Sequence, residues 1–396
     1  MKRRDFIKNT SLASGSLFVP SFIQAFENKL VSNFGYKRLV IVQLSGGNDG
    51  LNTIIPFRND IYFRSRSSIG LSPENHLHLT DNLRLHPSLL PLKKLYDNGY
   101  LSIINNVGYP NPNRSHFRAM DIWQTASDSN IYFRDGWIGR FLDSKGQFPY
   151  NALEIDESLS LALKGKRLSG IAVKNPEVLY RLSQDPFLKR IYRNYNENHL
   201  SEHNLGYLYK TMISAESSAK YIHEKNSIQS SRSDYPKTDF GKQLKQIASF
   251  INSRLKTKVF YASLEGFDTH VNQLNTHKRL LKNYADSIIT FVSDLERQGT
   301  FDDTLILTFS EFGRRVKQNS GKGTDHGSAN NLFIIGKHLK KPGVYNELAS
   351  LSDLDNNGDI KFEIDFRTIY STILNKWLDA DSNVILKRNF NQLDFI

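Results

Sequence analysis

The sequence predicts an α/β protein built on a large, mostly parallel mixed sheet flanked by helices, with a helical insertion between about residues 150 and 255. Three observations predict it. Short apolar, largely β-branched runs recur at Arg38–Leu44, Leu101–Val107, Lys258–Leu264, Thr304–Phe309 and Asn331–Ile335, the pattern of strands buried on both faces. Amphipathic helical patterns lie between them, the longest at Leu280–Arg297 through Leu281, Tyr284, Ile288, Phe291, Val292 and Leu295. Most of these runs also end in glycines and chemistry-bearing side chains, and in open α/β sheets ligands collect beyond the carboxyl ends of the strands.

In chain order, the first stretch reads MKRRDFIK, with Arg3 and Arg4 ahead of Phe6 and a mildly apolar run from Ser11 to Phe26. It resembles a twin-arginine export signal over residues 1–30, the alternative being a basic amphipathic helix. Pro20 and the polar Asn9, Thr10, Ser11, Ser14 and Ser16 make the run too short and too polar for a bilayer span, so no transmembrane anchor is expected. The expected partner is the twin-arginine export machinery, and the expected location is periplasmic or secreted.

The folded domain is expected over residues 36–396. Arg38–Leu44 stops at Ser45-Gly-Gly-Asn-Asp-Gly50, where Asn48 and Asp49 either offer oxygens to a cation or close an Asx turn. Pro87–Tyr96 reads as a short amphipathic helix, and Leu101–Val107 leads into the proline-broken stretch GYPNPNRSHF. Ser115 stands at the start of the next helix, either as an ordinary N-cap or as a nucleophile at its positive end, with Arg114 and His116 suited to anion handling. Ala152–Val173 supplies one or two strands, Ser183–Asn226 is polar and helical, Ser227–Pro236 is a loop, and Phe240–Leu255 is helical again; together they read as an inserted cap or helical layer.

Lys258–Leu264 ends in EGFDTHVNQLNTH, which crowds Asp268, His270, Gln273 and His277 past one strand end. Asp-x-His sets an oxygen and a nitrogen donor within reach of one divalent cation (Zn, Mn, Mg or Ca), or anchors the loop by hydrogen bonds. Thr304–Phe309 is followed by Ser310 and Glu311, and the glycine-rich loop with Asp325 and His326 leads into Asn331–Ile335, read as a second parallel strand. Asp353–Glu363 partly matches a calcium loop, at Asp353, Asp355, Asn357, Gly358 and Ile360, but the twelfth position is Ile364, so a hairpin with an Asn-Gly turn is expected. Asp365 caps a helix through Ile369, Ile373 and Trp377.

Composition narrows the chemistry. The 396 residues, 39% hydrophobic, can bury a large core. The chain has no cysteine, which excludes disulfides, thiolate metal sites and cysteine nucleophiles, so any metal uses oxygen and nitrogen ligands. A formal net charge of +12 favours anionic small molecules or acidic glycans, and no nucleic-acid-binding signature accompanies it.

SGGNDG, NPNRSHF, EGFDTH, SEFGRR and GTDHG resemble, in order and over nearly the whole chain after the signal, the exported proteins grouped as domain of unknown function family 1501. That family resembles a branch of the alkaline phosphatase and sulfatase superfamily. The resemblance implies an alkaline-phosphatase-like fold, a metal site at the strand ends and hydrolysis of phosphate or sulfate esters. Carried over, it places the first-strand carboxylate at Asp49 and the nucleophile at Ser115, beside Arg114 and His116. Metal ligands fall on Asp49, Asp268, His270, Glu311 and His326, to which the loop itself adds Asp325 as a candidate, while Phe312 stands where the superfamily has a histidine. The second reading is a non-catalytic envelope protein that keeps the fold and an anion-binding pocket.

Changing Arg3 and Arg4 together to Lys is expected to retain the protein in the cytoplasm without altering its fold. Fractionation and circular dichroism of the retained protein check this, and undiminished export would refute the signal.

Overall fold

Both faces of the first strand are apolar, and this shapes the whole architecture. In β1 (Arg38–Ser45), Val40, Val42 and Leu44 point into one buried cluster and Leu39 and Ile41 into another. Such a strand is stable only when covered on both sides. The structure, a computed structural model, describes residues 36–72, 77–186, 204–226 and 231–396; the expected export signal lies outside them. Among the described residues, no helix is long and apolar enough to cross a membrane.

The other principal strands are β2 (Leu101–Gly108), β3 (Ala152–Glu154), β4 (Ile171–Ala172), β5 (Val259–Glu265) and β6 (Thr304–Phe309). A hairpin of β7 (Arg314–Gln318) and β8 (Thr324–His326) follows, then β9 (Asn330–Ile335), β10 (Gly343–Val344) and β11 (Ile364–Asp365). Nine of these form one mixed sheet in the order β10-β2-β9-β6-β1-β5-β3-β4, with β11 also on β2. β1 lies between β5 and β6 and is parallel to both. Helices α1 (Leu90–Asp97), α4 (Asp239–Asn252) and α5 (Gln273–Arg297) cover one face. Helices α2 (His116–Thr125), α3 (Trp137–Lys145) and α6 (Phe366–Thr372) cover the other.

Two expectations change. Asn331–Ile335 was expected to run parallel, but β9 is antiparallel to both β6 and β2. The reason lies in the connection, because residues 310–329 are spent on a hairpin at the carboxyl edge and none of them crosses back to the other end of the sheet, as a parallel return requires. The long helix starts at Gln273 rather than Leu280. Its first two turns carry the buried polar residues Gln273 and His277, which a hydrophobic pattern does not register. The segment 150–255, expected as an inserted cap or helical layer, contributes β3 beside β5, the edge strand β4 and the core helix α4. Asp353–Glu363 does turn back on itself, with an antiparallel bridge between Leu354 and Ile360 and Gly358 at φ +77°.

The reversed strand is what assembles the functional edge. β1, β2, β5 and β6 all end there, and β9 begins there, so five connecting segments converge: 46–50, 109–116, 266–272, 310–313 and 325–330. The first turn is pinned from several sides. Gly46 has φ +116°, and a Cβ on it would collide with the backbone of Phe267 and Asp268. Asn48 N–H donates to Ser310 Oγ (2.8 Å), whose hydroxyl donates to the Leu44 carbonyl (2.7 Å). From α5, buried His277 meets Asn48 Oδ1 through Nε2 at 2.9 Å.

Burial pushes the His277 imidazole down to about 4. It is neutral in the folded protein, whereas in the unfolded chain it titrates near its ordinary value of about 6.5. Its contribution is therefore full above that value and is lost as pH falls toward about 4, by about 3 kcal/mol for a shift of this size. Urea unfolding across that window is expected to show a shallower loss of stability for His277→Gln than for the parent.

Candidate metal centre

Three histidines meet one aspartate at the converging edge. His116 opens α2, Asp268 and His270 follow β5, and His326 ends β8. One donor atom each of His116, Asp268 and His326 lies within 4.8 Å of the others. Asp268 Oδ1 is 3.0 Å from His270 Nε2, 3.2 Å from His326 Nε2 and 3.4 Å from His116 Nε2. The Nε2 atoms of His270 and His326 are 2.9 Å apart.

The tautomers follow from what lies behind each ring. His326 Nδ1 is 2.7 Å from the Arg114 carbonyl, His116 Nδ1 is 2.9 Å from Glu311 Oε1, and His270 Nδ1 is 3.2 Å from Asp325 Oδ1. Each of these partners can only accept, so each Nδ1 carries the proton. In the neutral rings each Nε2 lone pair then faces the Asp268 carboxylate oxygen, and those of His270 and His326 also face each other. Lone pairs held this close repel unless a proton or a cation lies among them. His116 Nε2 is also buried without a hydrogen-bond partner. Imidazoles backed by carboxylates or carbonyls are the usual support of a metal site. The donor set fits a divalent cation.

Charges around the cluster are graded. Burial opposes ionisation of Asp268, but the hydrogen-bonded Arg314 guanidinium outweighs it and holds the carboxyl at about 2. The Glu311 hydrogen bond raises the His116 pKa, and burial lowers that of His326. The Asn319 side chain, donating to Asp325 (3.0 Å), lowers that carboxyl's pKa. Phe312 is buried against both His116 and His326, with ring centroids 4.8 and 4.7 Å away.

The cluster unites some of the expected residues and separates others. Asp268, His270 and His326 come together, and His116, expected to flank a nucleophile, joins them as a nitrogen donor. Glu311 and Asp325, expected as ligands, stand behind His116 and His270 and orient them; Glu311 Oε1 also accepts from Gly46 N–H at 2.8 Å. Asp49 stands apart because its carboxylate is already used. It is fully buried, pairs with Arg66 at 2.6 Å, accepts from Gln273 and caps the single helical turn Gly50–Thr53.

Ser115 occupies the N-cap position of α2, exposed, and its side chain makes no capping bond. The Arg114 guanidinium is 2.5 Å from buried Asp359. Sequence reasoning assigned no role to Arg314, which contacts Asp268 Oδ1 at 2.7 Å. The available signal was its position, an arginine directly after Glu-Phe-Gly at a strand end, where an exposed role was the simpler reading.

The sequence profile of the family described as "Protein of unknown function (DUF1501)" matches residues 105–387. No curated protein matches the chain. Among solved structures, the chain is similar to the lipoteichoic acid synthase LtaP from Listeria monocytogenes, at 10% identity over 79% of this chain and 69% of that one, with a TM-score of 0.37. It is similar to the C-terminal periplasmic domain of EcEptC from Escherichia coli, in complex with Zn, at 10% identity over 76% and 73%, TM-score 0.35. The PsFucS1 sulfatase from Pseudoalteromonas sp. is 10% identical over 94% and 73%, TM-score 0.37.

Asp49→Ala separates a structural role from a ligand role. It strands the Arg66 charge in the interior, so urea unfolding is expected to show a loss of about 3–5 kcal/mol. Whatever remains folded is expected to keep the parent's metal stoichiometry; metal loss with unchanged stability would return Asp49 to the ligand set.

Proposed function

The chain belongs to the family described as protein of unknown function (DUF1501), and because that description assigns no chemistry we propose from the site itself that it is an exported, metal-dependent hydrolase of phosphate or sulfate esters. One observation carries the reading: three imidazole Nε2 atoms face a single carboxylate oxygen, with every Nδ1 fixed from behind. His116, Asp268, His270 and His326 would hold the ion. A nitrogen-rich donor set without thiolate suits Zn better than Mn, Mg or Ca.

When bound, a divalent cation supplies Lewis-acid polarisation of the ester and lowers the pKa of a neighbouring hydroxyl. The chain supplies the rest. Ser115 Oγ, next in sequence to His116 and unused as a cap, is the nucleophile. It bonds to phosphorus or sulfur, the ester P–O or S–O bond breaks, and the alcohol leaves with a proton; water then releases the serine. The amino-terminal end of α2 favours the developing negative charge. Arg114, held by Asp359, contributes a fixed cation and, through its carbonyl, the orientation of His326. The net charge of +12 favours anionic substrates.

A second reading, a binding protein without turnover, is favoured by the Arg314–Asp268 contact, which already places a positive charge on the central carboxylate. Metal analysis beside turnover of p-nitrophenyl phosphate and p-nitrophenyl sulfate separates the two. The purified protein is expected to carry one Zn ion that is released as pH falls through the histidine range. Ser115→Ala is expected to abolish turnover and retain the metal, at a stability cost below about 1 kcal/mol because no capping bond is lost. Bound metal with no turnover in the parent would leave the binding reading.

A further inference from the structure

Beyond the cluster, on the flank of β5 that faces β3, the sheet edge opens. β3 pairs with β5 only as far as Glu154 opposite Tyr261, while β5 continues to Glu265. Among the described residues, no strand covers its last residues on that side. The space holds a cavity of about 780 Å³ between α4, α5 and the segment that follows β4. That volume is typical of a small-molecule site, and the carboxyl end of a parallel strand is where such sites form.

The lining is rich in amides, and among the described residues each of them is held by one end only. Gln243 Oε1 accepts from the Ser263 N–H of the uncovered strand (3.1 Å). Asn283 Oδ1 accepts from Thr238 Oγ1 (2.7 Å), whose own acceptor side takes Gly241 N–H. Asn175 Oδ1 accepts from Glu177 N–H (2.9 Å), and Gln246 Nε2 donates to Asn226 (2.8 Å). Because backbone donors or a committed hydroxyl fix three of these amides, their orientation is determined. Among the described residues, three oriented NH₂ groups and the free end of the Gln246 amide have no other partner and stay available to a ligand.

Charge then selects the ligand class. The two lysines of the lining are paired, Lys174 with Glu157 (2.5 Å) and Lys242 with Asp239 (3.0 Å). Asp156 and Glu265 add acceptors and negative charge, which repel phosphate, sulfate or a carboxylate. Mixed donors and acceptors on rigid amides, without net positive charge, match hydroxyl groups, each of which both donates and accepts. We infer that this crevice binds a neutral carbohydrate chain, at a site separate from the histidine cluster and independent of the ester-hydrolase reading.

Isothermal titration of the full-length protein with maltotriose, cellotriose and chitotriose, and with inorganic sulfate as the anionic control, tests the inference. At least one trisaccharide is expected to bind saturably, with the same affinity in EDTA and in Asp268→Asn. Gln246→Met and Asn283→Leu are each expected to weaken that binding about tenfold. Thermal unfolding accompanies both variants, and Gln246→Met decides if Asn283→Leu fails to fold through loss of the Thr238 contact. Binding of none of the sugars, sulfate bound in preference to them, or affinity unchanged in a folded Gln246→Met protein would overturn the inference.

Discussion

The guanidinium of Arg314 is the fastener on which the site depends. It donates from Nε to the Gly47 carbonyl (2.7 Å), from Nη1 to the Thr324 carbonyl (2.8 Å), and from Nη2 to the Phe267 carbonyl (3.0 Å), the Gly46 carbonyl and Asp268 Oδ1. One buried side chain thus ties together the turn after β1, the loop after β5 and the hairpin strand β8. A planar, permanently charged fork with five N–H groups can do this, whereas the single ammonium of a lysine cannot. Loop carbonyls at a strand edge would otherwise need water, and here they compensate a buried charge instead.

Behind that fastener lies a second polar layer that faces inward. Asp49 and Arg66 form a fully buried pair, Arg66 also bonds to the carbonyls of Val316 and Arg315, and Gln273 bridges Asp49 to Thr324. The layer links the first turn to both strands of the hairpin. It explains why an aspartate in a metal-like motif is not at the metal-like site: its charge is consumed in holding the hairpin on the sheet. Buried ion pairs are costly to break, which makes the geometry of the edge hard to deform.

The front layer reaches across distant parts of the chain. Asp359, in the turn that resembles a calcium loop, is completely buried against Arg114 and lies 3.6 Å from Arg315. Burial raises the Asp359 pKa, with Arg114 opposing the effect. Through the Arg114 carbonyl, this carboxyl-terminal turn bears on the orientation of His326. The acidic turn therefore positions an arginine rather than a cation.

The sequence by itself determined the principal sheet strands, the helix that begins after Ser115, the Asp365-capped helix and the residue types that chemistry requires. These depend on local pattern: apolar runs, caps, and glycines at strand ends. It also supplied Asp268, His270 and His326 as neighbours-to-be, because each sits just past or just before a recognisable strand. Only the tertiary structure decided which polar groups face one another. The direction of β9, the recruitment of His116 into the donor set, the retreat of Glu311 and Asp325 to orienting positions and the capture of Asp49 by Arg66 all depend on pairings across 17 to 265 positions. No periodicity encodes such pairings, since a carboxylate that binds an imidazole, an arginine or a cation is the same residue in the sequence, and burial and distance alone tell them apart.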